Sequence, residues 1–124
     1  MKEKFPFPRE ATMLVSQDHI DELNKLRDNL TGITTACIED HKMRLAASTN
    51  EKEKGLLSAT IPVLRVLIRM AGCYIEEVDK RRTAENYAAA RDYLLTSITK
   101  VNALLAALVQ DDLDKATKKP TLMN

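Results

Sequence analysis

From Leu23 onward, apolar residues return at alternating steps of three and four: Leu23, Leu26, Leu30, Ile33 and Cys37. That spacing keeps them on one face of a helix and forms an a/d seam of little more than two heptads. The pattern predicts a first helix from about Gln17 to Ala47. Ser16 is placed to cap it, Asp18 lies in its first turn, and Val15 and Ile20 occupy the two staple positions. Past Cys37 the seam turns polar at Asp40 and Arg44, while Thr34, Ile38, His41 and Leu45 mark a second, weaker stripe. Gly32 interrupts the helix and suggests a place where a neighbour comes close. Ser48-Thr49-Asn50 reads as a turn. Asn50, with Glu53 three residues later, then begins a second helix running to about Arg82.

The second helix has an unusual distribution. At 100° per residue, Ser58, Pro62, Arg65, Arg69, Gly72 and Glu76 fall in a sector of roughly 80°. Nearly everything else from Leu56 to Ile75 is apolar, an arc of more than about 200° where an ordinary amphipathic helix needs little over 100°. Two neighbouring helices do not cover so wide an arc, so either the N-terminal segment or another copy of the chain is expected on it. Pro62 predicts a kink or a break near Ala59–Ile61, with Thr60 able to start a fresh helix. Thr83 can cap a third helix, whose face of Tyr87, Leu94, Ile98, Val101, Leu105 and Leu108 extends to about Thr117.

Ahead of these helices, residues 1–15 read as an extended arm built on Phe5-Pro6-Phe7-Pro8, which favours a polyproline backbone. Residues 16–119 form the bundle and 120–124 a flexible tail. The composition agrees: among 124 residues there are three Gly and four Pro, and only Pro62 lies away from the ends. An all-β or α/β domain needs far more turn chemistry than that. The expected fold is therefore all-α: three long antiparallel helices with an N-terminal arm, completed by oligomerisation.

Charge and chemistry narrow the function mainly by exclusion. Nineteen Lys and Arg against eighteen Asp and Glu give a net charge of +1, without the basic excess of a general nucleic-acid binder. Cys37 and Cys73 both fall in apolar helical pattern, and no apolar leader follows Met1, so a reduced cytoplasmic setting is expected. Leu56–Ile75 has the length of a membrane span, but Arg65 and Arg69 at its centre favour a buried helix of a soluble bundle. His19 and His41 are the only histidines, and neither has a Glu three residues before it, so no di-iron set forms. Glu76 and Asp79 are the only acidic i, i+3 pair on the second helix and read as solvated charges near its end. No phosphate loop, Cys-x-x-Cys pair or nucleophile elbow occurs, and no metal or cofactor is expected.

Four residues, His41-Lys42-Met43-Arg44, resemble the phosphorylatable histidine of histidine-phosphotransfer domains, with Arg44 as the steadying cation. The resemblance implies phosphoryl acceptance at His41. However, Leu45 stands where that family usually carries a small residue, and a surface or boundary histidine explains the same residues. Arg65 and Arg69, one turn apart on the polar strip, either pair with Glu39 or Asp40 of the first helix or face an acidic partner. Lys80, Arg81 and Arg82 suit the negative end of the helix dipole and extend the basic strip only if the helix bends. The resulting expectation is a non-enzymatic interaction protein: an adaptor, regulator or small assembly component. It associates with itself through the second helix and with another protein through Phe5, Phe7, Arg65, Arg69, Lys80, Arg81 and Arg82. Nucleic-acid association through the Arg and Lys patches is the alternative, beside phosphotransfer at His41.

Overall fold

A computed structural model describes residues 14–123, with side chains through residue 117. The expectations for Phe5, Phe7 and most of the arm therefore lie outside the described residues. Three helices follow one another: α1 (Gln17–Ala47), α2 (Glu51–Lys80) and α3 (Ala84–Met123). They pack side by side as an all-α bundle. Polar contacts between distant residues fix their directions. Gln17 at the start of α1 accepts a hydrogen bond from Arg82, just past the end of α2, and Glu22 meets Tyr87 near the start of α3. At the far end Arg44 reaches Asp112 of α3, so α1 and α3 run parallel and α2 runs against both.

Capping chemistry sets the helix starts. The Ser16 backbone N–H donates to His19 Nδ1 at 3.0 Å, so a histidine takes the place that Glu or Gln fills in the usual capping box. The staple residues Val15 and Ile20 are both buried. Asn50 Oδ1 accepts the N–H groups of Lys52 and Glu53 at 2.9 and 3.1 Å. Glu53 does not reach back to Asn50 directly. It accepts the Ser48 hydroxyl at 2.6 Å, and Ser48 Oγ in turn accepts the Asn50 N–H at 3.2 Å. Thr83 Oγ1 accepts the Asn86 N–H at 3.1 Å, as expected for the cap of α3.

Four local expectations change. Pro62 lies inside an unbroken α2, so the helix does not restart at Thr60. Its ring is exposed, while Ile61 and Leu64 on either side are buried and hold both halves of the helix to the core. The helix ends at Lys80, two residues before the predicted Arg82: Arg81 turns to an extended conformation with its N–H on the Glu77 carbonyl. Gly32 makes no close approach, since a Cβ there would meet nothing within 4 Å. Beyond the predicted end near Thr117, α3 continues to Met123 and takes in Pro120.

The core joins Leu23, Leu30, Cys37 and Ile38 of α1 to Ile61, Leu64, Ala71, Ile75 and Val78 of α2 and Ala90, Leu94 and Val101 of α3. On α1 the supposedly weaker stripe is part of this core. Thr34, Ile38 and His41 are buried, whereas Leu26 and Ile33 only border it. His41 is therefore not a surface or boundary residue. It is 3% exposed, with Nδ1 2.9 Å from the Cys37 carbonyl, to which a protonated Nδ1 donates.

Candidate interaction surface

Around α2, three arcs replace the expected two. Leu57, Ile61, Leu64, Ala71, Ile75 and Val78 face the core. Ser58, Pro62, Arg65, Arg69 and Glu76 form an exposed polar strip. Between them on the other side lies an exposed apolar arc of Leu56, Ala59, Val63, Val66, Met70 and Cys73. Leu56 is 70% exposed and Val63 60% in a bundle whose core is already filled, so neighbouring helices do not account for these side chains. Tyr74 stacks on Tyr93 of α3 with ring centroids 4.6 Å apart and closes the edge between the arc and the core. Beside that stack, Met70, Cys73, Tyr74 and Glu77 line a shallow apolar depression of about 240 Å³. Burial pushes the Tyr93 hydroxyl above its ordinary titration range.

The structure separates the basic residues. Arg65 and Arg69 are exposed and form no ion pair among the described residues. Their expected partners are otherwise engaged: Glu39 with Lys42 at 3.3 Å and Asp40 with Arg44 at 2.6 Å. Lys80 lies about 16 Å further along the axis than Arg69. Arg81 pairs with Glu77 at 3.6 Å, and Arg82 donates to Asp79 at 2.7 Å and Gln17 at 3.1 Å. These two arginines serve the turn between α2 and α3, so the five described members of the expected contact set, Arg65, Arg69, Lys80, Arg81 and Arg82, do not form one patch.

Two polar clusters hold the ends of the bundle. The Tyr87 hydroxyl donates to Glu22, the chief reason the Glu22 carboxyl titrates below its ordinary range; burial raises Tyr87 in the opposite sense. At the other end Arg44 is 18% exposed and reaches Asp40, Asp111 and Asp112. Its hydrogen bond to Asp40 leads the effects that hold the guanidinium protonated. This explains the Asp111-Asp112 pair, which as isolated charges suits no helix C-terminus. Both clusters are structural. In the second cluster the Arg44 guanidinium occupies the space between the carboxylates, and no group of His, Cys, Asp and Glu able to hold a metal ion occurs among the described residues. His41 is walled in by the core, so phosphoryl transfer there requires the bundle to open.

No known protein family, curated protein or solved structure matches this chain. The surface itself therefore carries the functional argument. By length and composition, Glu51–Lys80 and the Ala84–Thr117 part of α3 each contain an 18-residue window apolar enough to cross a membrane. Only 22% and 17% of those windows are buried inside the bundle, so α2 is not the mainly buried helix that its sequence suggests. The sequence shows the surplus on α2 as a broad arc, and the three-and-four spacing from Leu56 to Cys73 is the signal that sets it in a single row. Leu95, Val109 and Leu113 on α3 are a second exposed set that the helical pattern did not isolate.

Proposed function

We propose that this chain is a non-enzymatic helical interaction module, an adaptor, regulator or small assembly component of the cytoplasm, that works as a homo-oligomer through the outer face of α2. One observation carries the reading: Leu56, Val63, Val66 and Met70 stay exposed along one side of a helix whose opposite side already fills the core. Contiguous apolar surface on a folded domain marks an interaction site far more often than an accident of composition. Burying it against a partner gains roughly 25 cal/mol for each Å² removed from water. The adjacent Arg65 and Arg69, with Phe5 and Phe7 of the arm, are the proposed contacts for another protein of acidic character. Nucleic-acid association through Arg81 and Arg82 has less support, because both are held by local acceptors.

Light scattering after size exclusion tests the self-association. At tens of micromolar the chain should run at twice its monomer mass or more. Val63→Glu combined with Val66→Glu should yield monomer with an unchanged helical circular dichroism spectrum, because both side chains are exposed. A parent chain that stays monomeric under those conditions rules the proposal out.

A further inference from the structure

The exposed row on α2 has the spacing of a coiled-coil seam. Leu56, Val63 and Met70 recur every seven residues, and Ala59, Val66 and Cys73 follow each by three. This is the a/d arrangement by which two helices interlock knobs into holes. The depression beside Tyr74 fits the same geometry. Its four lining residues, Met70, Cys73, Tyr74 and Glu77, stand at i, i+3, i+4 and i+7, the four corners of a hole for one knob.

The side-chain sizes in the row are uneven, and their order discriminates between directions. Laid antiparallel with the midpoint between Leu64 and Arg65, two copies set Leu56 against Cys73, Ala59 against Met70 and Val63 against Val66. Each layer then joins a large side chain to a small one, or two of middle size, which fills the space evenly. A parallel, in-register pair instead stacks Met70 on Met70 and Ala59 on Ala59, crowding one layer and emptying another. The next positions outward carry charge. Antiparallel, Lys52 of one copy meets Glu77 of the other at both ends of the seam. In a parallel pair Lys52 meets Lys52 and Glu77 meets Glu77. Both residues are exposed, so the contact contributes selectivity rather than much affinity. Glu77 keeps its 3.6 Å pairing with Arg81 on its own chain.

We infer that a second copy of this chain occupies the α2 face, docked antiparallel in the register that sets Leu56 into the Met70–Cys73–Tyr74–Glu77 hole and Lys52 against Glu77. The inference rests on the self-association proposed above and adds its direction and register.

Disulfide trapping reads the register directly. In the native chain the two Cys73 thiols of such a pair lie about 26 Å apart along the axis, far beyond disulfide reach, so diamide should leave it uncrosslinked. L56C brings a new thiol beside Cys73 of the second copy, and most of the protein should then run as a covalent dimer on a non-reducing gel. Adding C73A should abolish that band. Charge exchange gives a second reading: K52E and E77K should each weaken the dimer several-fold, and the double variant should restore it.

Crosslinking of native Cys73 overturns the antiparallel register, as does a dimer that L56C fails to trap or that the double charge variant fails to restore. These outcomes leave self-association standing. A monomer in solution overturns both claims. So does a monomer that floats with phosphatidylglycerol vesicles, which would assign the apolar face to a lipid surface.

Discussion

Thr34 is fully buried, and its hydroxyl finds no hydrogen-bond partner among the described residues. A buried hydroxyl without a partner costs about 1–3 kcal/mol, whereas an apolar group of the same shape costs nothing of that kind. Thr34→Val should therefore raise stability by about 1 kcal/mol, read as a higher urea midpoint at unchanged slope. Thr34→Ser keeps the hydroxyl and loses a methyl, and should lower stability by about 1 kcal/mol. A Val variant no more stable than the native chain would mean that the hydroxyl is satisfied in solution. At this scale the sequence was least informative. Periodicity placed Thr34 and His41 on a common stripe, but a polar residue on a helix face carries no mark of whether a neighbour covers it. That depended on how far α1 rolls against α2 and α3, which makes Leu26 and Ile33 border the core and draws His41 into it.

Helix by helix, far more was legible. Ser16, Asn50 and Thr83 stand at the starts of the three helices, Asn50 and Thr83 with their side chains on first-turn N–H groups, and Leu23, Leu30, Leu94 and Val101 are core residues as their spacing implies. Glycine and proline are less legible, because their effects depend on what stands next to them. Pro62 lies within an unbroken helix with its ring facing solvent. Gly32 has open space around its Cα and an ordinary backbone, so nothing in the fold requires it. Gly32→Ala should stabilise the chain by about 1 kcal/mol through helix propensity alone. Gly72→Ala, in equally open space on α2, should act in the same direction. Thermal unfolding followed at 222 nm checks both, and a lowered midpoint for either would reveal a neighbour that needs the missing Cβ. The candidate surface was legible at this level only in part: the wheel for α2 showed too much apolar arc, but which third of it α1 and α3 leave open required their positions.

For the molecule as a whole, the helix lengths differ: 31 and 30 residues in α1 and α2, but 40 in α3. Because Arg44 near the end of α1 holds Asp111 and Asp112, α3 runs on to Met123 about 16 Å beyond those ion pairs. Every described side chain from Val109 to Thr117 is exposed. Isolated helices this short are marginal in water, and only the continuous ladder from the bundle nucleates this one. Helix content and cooperative folding therefore count different residues in this protein. On heating, roughly ten residues of helical signal should fade gradually before the bundle melts, giving a sloping rather than flat pre-transition baseline. Deleting residues 114–124 should flatten that slope and leave the midpoint where it was. A baseline that flattens on this deletion would mean that temperature, rather than packing, sets how long α3 is.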